Sequence, residues 1–143
     1  MSISGHRGVF YRKFMSTVGH YQRVQTGMGK PKTDRKKLID KLDTLWSKRV
    51  MERDFYRCQY CFRAGTDPHH IFSRKNLSTR WDINNGICLC RECHDDAHRT
   101  PKAFHLYLAT FFPIYMDLQE KSKVVVHYKN PDLLEIYEGL KRG

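Results

Sequence analysis

Two short cysteine pairs, Cys58-x-x-Cys61 and Cys90-x-x-Cys93, restrict this chain more than any other feature of it. A two-residue spacer lets the backbone turn round a metal ion, and two such pairs supply the four thiolates of a closed tetrahedral zinc site. The segment between them is long enough for a β-hairpin, so the ion would clip that hairpin to the element that follows it. In a chain of 143 residues, 40% of them hydrophobic, the core is modest. Zinc bound in this way adds folding free energy directly. The cysteines number five, in two close groups, and Met1 to Phe14 has no apolar signal core. A disulfide framework is therefore a poor fit and metal ligation in a reducing compartment a good one. Cys88 is the odd cysteine, expected on a strand as a small buried hydrophobe.

Around this knuckle the periodicities predict an α+β chain. A helix is expected from Asp34, as N-cap, to about Asp54, because Leu38, Leu42, Leu45, Trp46 and Val50 fall mostly on one face. Pro68 to Ser73 reads as a strand carrying two adjacent histidines near its start. Gly86 to Cys90 reads as a second strand, after the turn-forming pair Asn84 and Asn85. Arg91 to Thr100 is expected to be helical. Pro101 ends or restarts that helix, with Phe104, Leu108, Phe111 and Phe112 continuing an apolar face. Asn130 as N-cap and Pro131 at the first helical position open a C-terminal helix. Residues 1–33, rich in glycine and basic groups without a period, are expected to form a flexible arm, and 34–143 a single domain.

The charge points toward a polyanionic partner. The formal net charge is +11, and Met1 to Lys37 holds nine lysines or arginines against one acid, Asp34. Such clustering is the footprint of a protein that neutralises phosphates, although a solvated basic tail has the same composition. No run approaches the roughly 18 apolar residues of a membrane span, so a cytoplasmic protein is expected.

Histidines supply the chemistry. His69, His70, His94 and His98 make up half of the eight histidines, and all lie inside or beside the segment bracketed by the cysteine pairs. His94 and His98 are spaced i and i+4, so on a helix they share a face. Three imidazoles can hold a divalent cation with coordination positions left open, which a catalytic site requires and a structural one does not.

Cys58-x-x-Cys61, Asp67-Pro68-His69-His70-Ile71, Asn85, Leu89-Cys90-Arg91-Glu92-Cys93-His94 and His98, in that order, resemble the motif of the HNH endonucleases. The resemblance covers roughly residues 55–100. It implies a ββα-metal core with a four-cysteine zinc knuckle, flanked here by an N-terminal helix and C-terminal helices. It further implies that His70 is the general base that deprotonates the attacking water, that His69, His94 and His98 hold the catalytic ion, and that Asn85 orients the loop and the base. Cys58, Cys61, Cys90 and Cys93 would hold structural Zn²⁺.

DNA is the implied substrate, cut by a single-metal mechanism to leave 5′-phosphate and 3′-hydroxyl ends. An all-imidazole ligand set admits Mn²⁺, Ni²⁺, Co²⁺ or Zn²⁺ as well as Mg²⁺. Arg74, Lys75 and Arg80 flank the histidine strand and are expected to contact DNA phosphates. No dedicated sequence reader is visible, so weak sequence preference is expected. One active site cuts one strand, so double-strand cleavage would call for a homodimer or two visits. Short stand-alone proteins of this family resemble those of phages and prophages, which raises a large terminase as a partner and the host cytoplasm as the location. The competing readings are a non-catalytic zinc-ribbon module that binds DNA, which leaves the histidines and Asn85 unexplained, and a specialised nuclease for recombination or DNA packaging.

Overall fold

The computed structural model describes residues 33–143, so the basic arm expected over 1–33 lies outside the described residues except for Thr33. The first element, α1 (Asp34–Arg53), buries Leu42, Trp46 and Val50 at four-residue spacing, a stripe that faces inward along the helix. It packs against the last helix, α6 (Asn130–Arg142), whose buried Leu133 joins the same cluster. Arg49 reinforces the contact, donating from Nε to the Leu140 carbonyl at 2.8 Å and from a terminal nitrogen to that of Lys141 at 2.7 Å. These carbonyls belong to the last turn of α6, where a guanidinium meets both unsatisfied acceptors and the negative end of the dipole. The cap of α6 is Lys129 rather than Asn130, because the Asp132 carboxylate accepts from the Lys129 backbone N–H at 2.6 Å and starts the helix one residue early.

The centre is an antiparallel hairpin of β1 (Asp67–His70) and β2 (Gly86–Leu89), with His69 opposite Ile87 and His70 opposite Gly86. A short helix α2 (Leu77–Arg80) and a 3₁₀ turn (Ile83–Asn85) connect the strands. β1 ends at His70, before the Ser73 expected from sequence. The peptide groups of Phe72 are bonded by the side-chain amide of Asn85, which takes the place of a ladder partner. β2 stops at Leu89 because Cys90 is the N-cap of α3 (Arg91–Arg99). Thr100 leaves helical geometry and Pro101 opens α4 (Pro101–Phe111). A further helix, α5 (Tyr115–Ser122), is not foreseen by the sequence reading. It buries Tyr115 and Leu118 against the hairpin cluster.

Gly86 is where α1 meets the hairpin. A Cβ at this position would lie 2.2 Å from Val50 Cγ2 and 2.7 Å from the Trp46 ring, so only a residue without a side chain allows the approach. Two buried clusters result: one around α1 and α6, the other around β2, α3, α4 and α5 with Cys58 and Ile71. Trp46, 1% exposed, donates its indole N–H to the Asp82 carbonyl at 2.8 Å and thereby ties α1 to the strand connection. No described helix is long and apolar enough to cross a membrane.

Candidate active site

The structure brings Cys58, Cys61, Cys90 and Cys93 together, with ligand atoms all within 4.8 Å of one another and the sulfurs of Cys61 and Cys90 3.6 Å apart. Four sulfurs about 2.3 Å from a tetrahedral zinc would stand roughly 3.8 Å apart, so the donor set fits that ion. The first pair sits on a tight loop in which Phe55, Tyr56 and Phe62 have φ of 53°, 53° and 64°. Each of these left-handed residues costs about 1 kcal/mol, strain that a metal-clipped loop can sustain. The second pair occupies the start of α3, Cys90 as N-cap and Cys93 inside the first turn, where the helix dipole favours thiolates. The backbone N–H and the guanidinium of Arg63 hold the Cys61 thiol down at about 6, whereas burial pushes Cys93 up. Cys88 is fully buried and outside this set.

His69, His94 and His98 form the second cluster, again with donor atoms within 4.8 Å of each other. Their ring centroids are 4.7 to 5.1 Å apart and the rings meet edge to face. His94 and His98 come from one face of α3; His69 comes from β1, its ring set against Phe104 at 5.4 Å. Burial, then the charges of His94 and His98, lower the pKa of His69 to about 3, so it is a neutral imidazole with a free lone pair. Nδ1 of His94 is sealed from solvent and has no hydrogen-bond partner. Buried polar atoms are rarely left so, and three imidazoles converging on one point with an orphaned nitrogen fit a divalent cation.

His70 sits beside this cluster on the wall of the same cavity, about 690 Å³ in volume. Its ring is stacked on Trp46 at 3.7 Å with an interplanar angle of 12°, and its Nε2 lies 2.9 Å from the Arg80 carbonyl. A carbonyl only accepts, so Nε2 carries the proton and Nδ1 keeps the lone pair. Burial lowers the His70 pKa, which keeps the ring neutral at pH 7 despite the opposing effect of that hydrogen bond.

The remaining candidates fall in different places. Asn85 is fully buried and makes no hydrogen bond to His70. It donates to the carbonyls of Phe72 and Thr79, both at 3.0 Å, and accepts from the Phe72 N–H at 2.8 Å. Arg74 is exposed on the cavity rim and has no ion-pair partner among the described residues, while Lys75 is exposed but does not line the cavity. Arg80 is placed elsewhere: its guanidinium is bound in two-pronged fashion to Asp43, at 3.0 and 2.6 Å, and lies over Trp81. Asp67 accepts from Thr66 and Arg91 rather than from a histidine.

Two contributions to the site carry no signal in the sequence. Trp46, read there only as core, is the stacking surface beneath His70; its place on α1, far upstream of the motif, gives no local signal. His105, which has no partner pattern in sequence, lines the cavity through α4.

Residues 58–100 match the family model described as HNH endonuclease. No curated protein and no solved structure matches the chain. The matched stretch begins at the first knuckle cysteine and runs past His98, so it contains both metal-type clusters and the hairpin and helix that carry them. The likeness over residues 58–100 is thus to the HNH endonuclease family, a family of nucleases.

Proposed function

We propose that this protein is a metal-dependent endonuclease that hydrolyses DNA phosphodiester bonds, with His70 as general base. The observation that carries the reading is the state of His70: Nε2 is bonded to the Arg80 carbonyl, and the free Nδ1 belongs to a ring on the wall of the cavity that holds the three-histidine cluster. His69, His94 and His98 would hold the catalytic ion, drawn from Mg²⁺, Mn²⁺, Ni²⁺, Co²⁺ or Zn²⁺, and the four cysteines a structural zinc. The catalytic ion would supply positive charge against the non-bridging and leaving 3′ oxygens as negative charge grows there. Nδ1 of His70 takes a proton from water as the water oxygen bonds to phosphorus; the bond to O3′ then breaks and that oxygen takes a proton from solvent. The ends are a 5′-phosphate and a 3′-hydroxyl. Arg74, exposed and unpaired on the rim, pairs with a flanking phosphate, and Asn85 holds the loop that presents Arg74.

The test is cleavage of supercoiled plasmid by zinc-replete protein stripped of other metals, with each divalent ion added in turn, beside His70→Ala verified for zinc content and fold. Cutting by the parent alone is the expected result, and the ratio of linear to nicked product reads whether two copies act together. If neither protein cuts with any ion while both bind DNA, the chain is a zinc-ribbon binding module and the proposal is wrong.

A further inference from the structure

The cavity contains a fifth imidazole that the scheme above does not use. His105 lines it from α4, yet is not one of the three clustered ligand candidates. Its ring is held between Phe72, 5.5 Å away by centroids, and Tyr115, at 5.8 Å, and its Nδ1 lies 2.9 Å from the Tyr115 hydroxyl. Tyr115 is 6% exposed and burial pushes its phenol pKa up, so it keeps its proton. A buried hydroxyl needs an acceptor, and among the described residues His105 Nδ1 is the acceptor it has. The phenol therefore donates to Nδ1, which places the hydrogen of the neutral ring on Nε2. No described group bonds Nε2. It is also absent from the sealed, unpartnered polar atoms, which are Ser78 Oγ and His94 Nδ1. The N–H is thus unbonded, on a ring that lines the cavity.

An oriented neutral donor in this place has a specific use. A lysine or arginine so close to the three-histidine cluster would repel a bound cation, whereas an uncharged N–H binds an anionic oxygen without that repulsion. We propose that His105, its ring set by Tyr115, contacts the nucleic-acid backbone in the cavity by donating from Nε2 to a phosphate oxygen of the strand being cut. Tyr115 is then a positioning residue. The inference rests on the nuclease reading for the identity of the ligand, and on the His105–Tyr115 geometry for the contact.

His105→Gln, His105→Asn and Tyr115→Phe separate this role from packing, each checked for zinc content and melting temperature. The longer Gln side chain carries an amide N–H out toward the Nε2 position, and the Asn amide stops near Nδ1. His105→Asn is expected to lose about ten- to hundredfold in kcat/KM. Gln should recover most of that loss, and Tyr115→Phe should fall between Asn and the parent. Parental rates for Asn, or equal losses for Gln and Asn, would overturn the proposal.

A second readout does not depend on cleavage. In ¹⁵N–¹H spectra of the zinc-loaded protein, His105 is expected as the Nε2–H tautomer, with its Nε2 signal moving when a short DNA duplex is added without a catalytic metal. Should the parent cut nothing while that signal moves, the nuclease reading fails and the phosphate contact stands. If the signal stays still and His105→Asn binds the duplex as the parent does, the contact itself is wrong.

Discussion

Replacing Asn85 is the sharpest test of how the loop beside the histidines is held. Its side chain is fully buried and makes three hydrogen bonds, one accepted from the Phe72 N–H and two donated to the carbonyls of Phe72 and Thr79. Asn85→Ala removes all three, each contributing about 1 kcal/mol net, and leaves the Phe72 N–H and carbonyl without partners, whereas the Thr79 carbonyl still accepts from the Asp82 N–H at 3.1 Å. With the small void added, the expected loss is about 3–4 kcal/mol, a large share of the roughly 5–15 kcal/mol that holds a domain folded. Asn85→Asp keeps the volume and the bond from Phe72 N–H but sets a carboxylate oxygen against two carbonyls. At neutral pH it should be no more stable than the alanine variant. Burial beside those carbonyls raises the pKa of the new acid above its unfolded value. The folded state then binds the extra proton, and the aspartate variant gains stability as pH falls through that raised pKa. Urea unfolding followed by circular dichroism, with zinc and reductant present, gives both midpoints at constant m. An alanine variant within about 1 kcal/mol of the parent would refute the account of Asn85 as the clamp on Phe72 and Thr79.

Two further outcomes follow from the same packing. Chelation of the knuckle zinc, or Cys93→Ser, should remove one zinc per chain by metal analysis and melt the 58–100 segment, since the strained loop loses the ion that holds it; an unchanged melting temperature after complete chelation would show that the thiols need no metal. Gly86→Ala should cost about 2–3 kcal/mol, because its Cβ would stand 2.2 Å from Val50 Cγ2. Val50→Ala should restore part of that loss in the double variant, and strict additivity of the two would contradict the clash.

What sequence makes legible here is what short spacings encode. The cysteine pairs, the adjacent His69 and His70, and the i, i+4 pair His94 and His98 each fix a local geometry, and the hairpin and α3 bring them together. Long-range pairings carry no such code. Arg80 looks like a phosphate clamp because it sits in the strand connection, but Asp43, on a helix 37 residues upstream, has its guanidinium. α5 escapes notice because it is short and buries only Tyr115 and Leu118, too few positions to show a period. Phe62 gives no warning of its left-handed backbone, since glycine is the residue that usually marks one.

The two halves of the site are anchored differently, and this bears on what the smallest working unit is. His94 and His98 ride on α3, whose first turn is itself part of the cysteine cluster, so their position depends on the knuckle. His70 depends on α1. Trp46 stacks beneath its ring, and the Arg80 carbonyl that fixes its tautomer belongs to a residue tied to Asp43. Burial alone would raise the Asp43 pKa, yet hydrogen bonds from Arg80 and Trp81 outweigh it and hold the carboxyl below its ordinary value. The Asp43 carboxylate is therefore ionised at neutral pH and keeps Arg80 in place. Asp43 and Trp46 both lie upstream of the stretch that matches the family. An excised 58–100 segment would carry both donor sets but lose the surface that orients His70. For the proposed nuclease the working unit therefore begins at α1, not at the first cysteine.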